Sequence, residues 1–308
     1  MFVLTDNVAY ARVVLPTATT WQPLPGGDLD LSFRELVETL QPGAVWHQSE
    51  IDGPNFDRVI LVDRSSRSQF DILRELATNS RLPPGDTLCL AGSGKDFHGH
   101  RGRNWTAVPG NLHVSVALAP HREIPHFGAV FMALPALAAA RAIESAVPAT
   151  RPVGIKWVND VIVGTAKVAG VIAHTRSAGH RVDQAVLGIG LNVEAIPDVA
   201  RSPFVPRAGA LREVDPNVTQ HQVLGALIES LGALYAETLS TGASSLLAAY
   251  RARSIVVGRS VEIHPDATER GEIITGRVRA IGNDLELLLD GRSAPVTRGR
   301  LLVTTETT

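Results

Sequence analysis

The chain has 308 residues, 44% hydrophobic and 19% charged, with a formal net charge of −2. This length exceeds what one core usually fills and implies at least two folding units, and the composition is globular rather than disordered. The near-neutral charge excludes strong global attraction to nucleic acid or anionic membrane, and the single cysteine, Cys89, excludes an internal disulfide or a multi-cysteine metal site, so a cytoplasmic setting is expected.

Residues 1–56 open with an apolar, strand-like segment that has no leading basic residues and contains Asp6, unlike a secretion signal. Turn formers Pro23, Pro25, Gly26 and Gly27 then precede the helix-like SFRELVETL. No helix-turn-helix pattern is visible and basic residues are sparse. These residues are therefore set apart as an N-terminal extension of unclear role with no DNA-binding assignment.

From Arg58 the pattern sharpens: RVILVD predicts a strand, SQFDILRELA a short amphipathic helix and TLCLAG a second strand. Asn111–Leu118 alternates with a period of two, and the Ala-rich stretch after it predicts a core helix. The most apolar stretch, Phe127–Val147, contains Pro135, Arg141 and Glu144, so it is expected to be a buried helix and no segment is expected to be long and apolar enough to cross a membrane. GIKWV, DVIVG, KVAGVIAHT and QAVLGIGLNV are short, β-branched and separated by turn residues, which favours antiparallel hairpins over a Rossmann-type alternation. Two helices follow, Thr219–Leu239 and Ser244–Arg253. The expected fold is α+β, a mixed, largely antiparallel sheet covered by helices, over residues 57–254. From Ile255 the period returns to two, predicting a second domain, a small β-barrel over residues 255–308.

Three segments carry chemistry. The loop GKDFHGHRGRNW, residues 94–105, combines Gly94, Gly99 and Gly102 with Lys95, His98, His100, Arg101 and Arg103, ending in Trp105. Glycines admit close approach of backbone N–H groups to an anion, guanidinium suits phosphate, and an indole can stack on a base. A solvated basic loop with a core tryptophan is the competing reading. KWVND, residues 156–160, and Lys167 place two lysines on neighbouring hairpin strands; the alternation decides whether one is a buried cation or both are exposed. GIGLN, residues 188–192, permits close approach to a strand, with Asn192 able to reach a base edge. His98 and His100 have no third ligand at a metal-binding spacing, so no protein-held metal is expected; Mg²⁺ carried by a nucleotide is a separate matter.

Taken in order, HGHRGRNW, PGNLHVSV, KWVND, KVAG, GIGLN and the C-terminal GRSVEI and GRVRAIG resemble the biotin protein ligases. Their motifs are GRGRxGRxW, a PxGNLYLS-like strand, KWPND, KLAG and GIGxN. The resemblance implies the class II synthetase-like biotin–lipoyl ligase fold with an SH3-like C-terminal barrel. It also implies ATP-dependent activation of biotin as biotinyl-AMP, and transfer to a lysine on the biotin carrier domain of a biotin-dependent carboxylase. A homodimer stays open, and no DNA or membrane partner is implied. By matched position Lys167 is the catalytic lysine, and Arg101 and His100 of the loop are its companion catalytic candidates. Ser68 and Gln69, with Arg67, fall near the biotin tail. His98, Gly99, Gly102, Arg103, Trp105, Asn159, Asp160, Gly170 and Asn192 fall on the ligand-binding side.

The departures lie in the loop. Counting back from Trp105, His100 replaces the arginine that clamps the adenylate, Phe97 a glycine, and Gly94 the glutamine lining the biotin ring; Val158 replaces the motif proline. A neutral imidazole supplies one donor where guanidinium supplies five and a permanent charge. The alternatives are a relative acting on another acid, such as lipoate, or a non-catalytic ligand-binding protein on the same scaffold. Cys89, in a predicted strand before the loop, matches an octanoyltransferase nucleophile poorly.

Overall fold

The computed structural model describes residues 1–24, 29–52, 56–200, 202–204, 207–265 and 271–304. The expected turn at Pro25, Gly26 and Gly27 lies outside them. The strands of the main sheet are β1 (Phe2–Thr5), β2 (Gln22–Pro23), β3 (His47–Glu50), β4 (Arg58–Ser65), β5 (Thr87–Gly94), β6 (Leu112–Leu118), β7 (Arg122–Glu123), β8 (Val153–Lys156), β9 (Asp160–Val163), β10 (Ala166–Ala178) and β11 (Arg181–Leu191). The helices are α1 (Val8–Val14), α2 (Leu31–Leu40), α3 (Gln69–Thr78), α4 (Phe127–Ala146), α5 (Gln220–Thr241) and α6 (Ser244–Ala252). A smaller C-terminal sheet holds β12 (Ser260–His264), β13 (Ile274–Ile281), β14 (Leu287–Leu289) and β15 (Arg300–Val303).

The main sheet runs β2-β3-β1-β4-β5-β6-β11-β10-β9-β8, with β7 paired to β11. β1, β4 and β5 are mutually parallel and the other pairs antiparallel, giving a mixed, largely antiparallel sheet. Residues 1–56, set apart in the sequence, contribute β1 between β3 and β4.

Alternation along the strands splits the core into two layers. On β4, Val59 and Leu61 join the layer beneath α1, α4, α5 and α6, whereas Ile60 and Val62 join Phe33 and Leu36 of α2 and Ile72 and Leu73 of α3. Covered on both faces, the strand carries the continuous apolar run VILV, Val59–Val62.

The helices begin where their sequences supply caps. Asp30 accepts from Phe33 N, Ser68 from Asp71 N, and Thr219 forms a reciprocal capping box with Gln222. By length and composition α4 and α5 are both apolar enough to cross a membrane, which corrects the expectation that no segment is. Burial accounts for α4: Phe131, Leu134, Leu137 and Ile143 all sit in the core at 1% exposure or less.

The C-terminal strands form an antiparallel sheet in the order β14-β13-β12-β15, with no pairing among the described residues that closes it into a barrel. It is tied to the main sheet by Trp157 Nε1, which donates to Leu285 O at 2.6 Å, and by Arg251, which donates to Gly282 O at 3.0 Å. Val261, Ile263, Val278 and Leu287 belong to the same core cluster as the layer beneath α4. Cys89, on β5, is fully buried, and its thiol is pushed far above the ordinary range by that burial.

Candidate active site

Two cross-strand rows on the α3 side of the sheet make the floor. One runs Asp160, Gly170, Gly190, His113 and Ala91; the next runs Ile172, Gly188, Ser115 and Cys89. Three glycines side by side leave a trough where neighbouring strands would place side chains. A cavity of about 250 Å³ lies above it, bounded by Ser68 and Phe70 at the start of α3, by the loop from Phe97 to Thr106, and by Lys167 and Arg300.

The indole of Trp105 rests on this trough. A Cβ at Gly190 would lie 2.3 Å from Trp105 Cε2, so glycine there is what lets the ring approach the sheet; one at Gly170 would lie 3.4 Å from Trp105 Cζ3, an ordinary contact. The ring is held from behind by His113, whose Nδ1 accepts from Trp105 Nε1 at 3.2 Å while its Nε2–H donates to Val108 O at 3.2 Å. Both bonds require the neutral imidazole, and burial holds His113 in that form by pushing its pKa down to about 4.

Lys167 and Lys156 lie not on neighbouring strands, the arrangement expected from the hairpin spacing, but on β10 and β8, the two strands that flank β9. Lys167 is the one that enters the large cavity. Its Nζ is 2.6 Å from Asp160 Oδ1 and 5.8 Å from the centre of the Trp105 ring. Lys156 turns to two neighbouring cavities, of about 50 and 200 Å³, and donates to Phe204 O. Burial lowers its pKa, partly offset by Asp160. Around the single carboxylate of Asp160 stand Lys156, Lys167 and, across the smaller cavity, Arg101, Arg103 and Arg300, a surplus of positive charge suited to an anion.

The loop is folded back on itself: Gly99 N donates to Arg103 O, Gly102 N to Gly99 O and Trp105 N to Phe97 O. The Gly99 and Gly102 amides are thus consumed inside the loop, and its side chains are what it offers a ligand. Gly102 has φ +71°, a conformation glycine adopts without strain. His100 lines both the large and the smaller cavity; burial first, and the charges of Arg101 and Arg103 second, push its pKa down to about 4, so it is neutral at pH 7. His98 Nε2 lies 2.8 Å from Asp71 Oδ2, which pins the loop to α3.

The other candidate residues separate by position. Ser68, His98, Gly99, Arg103, Asn159, Gly170 and Asn192 line the large cavity; Arg101 and Asp160 line the smaller one. Gly102 lines neither. Gln69 also lines neither, yet it is fully buried with no partner for either amide atom among the described residues. Asn192 is engaged internally, donating to Gly209 O at 3.0 Å and lying 3.4 Å from Asn111 Nδ2, while Asn159 Nδ2 donates to Val171 O at 2.9 Å. The Trp157–Val158 peptide bond is cis. Sequence reasoning missed His113, which reads as one more inward strand position, and Arg300, which arrives from the other sheet. Among the described residues no group of three His, Cys, Asp or Glu side chains could hold a metal.

A family model described as the biotin/lipoate A/B protein ligase family matches residues 64–192. The chain is 29% identical over 185 residues to the biotin–[acetyl-CoA-carboxylase] ligase of Paracoccus denitrificans, a match covering 58% of this chain and 75% of that one. Among solved structures it is similar to the biotin protein ligase from Aquifex aeolicus in complex with biotin and ATP, with a TM-score of 0.60 and 18% identity over 81% of this chain and 99% of that one. It is also similar to the biotin protein ligase from Leishmania major in complex with biotinyl-5-AMP, with a TM-score of 0.53 and 15% identity over 82% and 100% of the two chains. At these identities the structural likeness concerns the fold.

Proposed function

Because the chain belongs to the biotin/lipoate A/B protein ligase family, among the biotin protein ligases, we propose that it is an ATP-dependent ligase that activates biotin and transfers it to a lysine of a carboxylase's biotin carrier domain. The observation that carries the proposal is Lys167, held by Asp160 at the rim of a glycine-floored cavity whose indole can stack on a base. The relatives above are biotin ligases, which favours biotin over lipoate as the acid.

The chemistry follows from the charges. A biotin carboxylate oxygen attacks the α-phosphorus of ATP, the bond to the bridging oxygen breaks, and pyrophosphate leaves with the electron pair. Two anions must meet, and Lys167 neutralises them as they do. Positioned charge of this kind typically contributes about 10²- to 10³-fold to the rate. In the second half the carrier lysine attacks the acyl carbon of the mixed anhydride, loses a proton, and AMP leaves with the electron pair of the broken C–O bond. The side chains around Asp160 do not suit a protein-held Mg²⁺, because the one carboxylate is already paired with a cation; the metal would arrive on the phosphates of ATP.

The proposal extends to organisation. Residues 57–254 form the catalytic unit and the C-terminal sheet is read as an SH3-like module, supported by its period-two sequence and the Leu287–Val296 bridge. The reaction belongs in the cytoplasm, where ATP is supplied. The test is incubation of the protein with ATP, biotin and a carrier domain. ATP-dependent labelling of the carrier is expected, and Lys167→Ala should slow it about 100-fold or more. Absence of both biotin binding and labelling would falsify the reading.

A further inference from the structure

We propose that Arg300, brought to the active site by the C-terminal sheet and laid on Phe204, is the guanidinium that binds the phosphate chain of the nucleotide. The proposal rests on the nucleotide half of the reading above and is independent of which acid is activated.

Position comes first. The large cavity and the smaller one share His100, Arg103, Asn159 and Arg300, so these four residues mark the passage between them. A ligand with its base near Trp105 and an extended anionic tail would run through that passage. His100 is neutral there, and the Gly99 and Gly102 amides are turned inward. The permanent charges left at the passage are Arg103, which is exposed, and Arg300.

Arg300 is built into place. Its guanidinium carbon lies 3.9 Å from the centre of the Phe204 ring, which meets His264 edge-on at 5.1 Å. The backbone is fixed by the pairing of Arg300 with His264 across β15 and β12. Gly299, at φ +131°, precedes it, where an added Cβ would lie 2.9 Å from His264 O. A planar guanidinium on an aromatic ring keeps its edge free for two parallel bonds to phosphate oxygens. Its Nε is buried with no hydrogen-bond partner among the described residues, and no carboxylate there pairs with it. The competing account is structural: Arg300 only covers Phe204 and fastens the two sheets.

The two accounts differ in what they make Arg300→Ala do. Calorimetry on the full chain should show ATP and inorganic triphosphate each binding about 10- to 100-fold more weakly, the range expected for a lost charge-assisted pair, with biotin binding changed less than about twofold. Arg300→Met, which keeps the stem on Phe204, should lose the same, and His100→Arg combined with Arg300→Ala should recover part of it by returning a guanidinium to the passage. Unchanged ATP affinity in a folded Arg300→Ala protein overturns the proposal, as does equal loss of ATP and biotin binding. Failure of both Arg300→Ala and Arg300→Met to fold would establish the structural role instead. ATP binding that depends on Arg300 without biotin transfer would leave this proposal standing while removing the choice of biotin.

Discussion

Lys167 and Asp160 are 19% and 11% exposed at the side chain, so their ion pair is screened little by water. Removing one partner from such a pair leaves the other charge partly buried and uncompensated, which costs more than the pair itself is worth. Lys167→Ala should therefore lower the melting temperature as well as the rate. Adding Asp160→Asn should restore most of the melting temperature and none of the adenylation, a result read by thermal denaturation beside a pyrophosphate-release assay. His113 makes a different prediction. Its pKa is lowered from 6.5 to about 4, so between those values the unfolded chain binds a proton that the folded protein resists. The stability due to neutral His113 is complete above pH 6.5 and is lost as the pH falls towards 4, by on the order of 3 kcal/mol at most. Urea unfolding across that window should show the loss, and His113→Gln, which can accept and donate along the same two directions, should make the profile flatter.

At the scale of strands and helices the site depends on glycines in register. Gly190→Ala would push a methyl group into the Trp105 ring while leaving the β6, β10 and β11 ladders intact. The expected outcome is a folded protein whose tryptophan emission is altered and whose ATP affinity is reduced; unaltered emission and affinity would count against Trp105 as the base platform. Much of this architecture was legible in the sequence, because alternation in NLHVSVAL, KVAGVIAHT and QAVLGIGLNV reports both strand and facing side, and SQFDILRELA carries its own cap. What could not be read is non-local. β1 reads locally as a strand, but its place between β3 and β4 rests on pairings with distant segments, which leave no local pattern. The loop glycines suggested amides open to an anion, but nothing in HGHRGRNW reveals that the amides close on the loop itself. Arg300 lies far along the chain from the motifs it meets, and only the docking of the second sheet brings it to them.

Across the whole molecule the two sheets share one apolar core. Val256, Val261, Val278 and Leu287 are at most 1% exposed and pack into the same cluster as α4 and α6. Cutting the chain after Ser254 would expose that surface and orphan Trp157 Nε1, besides removing Arg300. The shortened protein should aggregate or melt without a sharp transition, as scanning calorimetry would record. A milder probe, Leu287→Ala, should cost about 2–5 kcal/mol in a single cooperative transition shared by both sheets; two separate transitions would show that the sheets unfold independently. The enclosure of Cys89 in β5 bears on how motion in this protein can be followed. Its sulfur is the chain's sole thiol, and native β5 keeps it from maleimides. A cysteine installed at exposed Asn104 would take a dye alone, with no native residue first replaced. The colour of that dye on adding ATP would report, in real time, whether the tryptophan loop lifts from the glycine trough or stays seated.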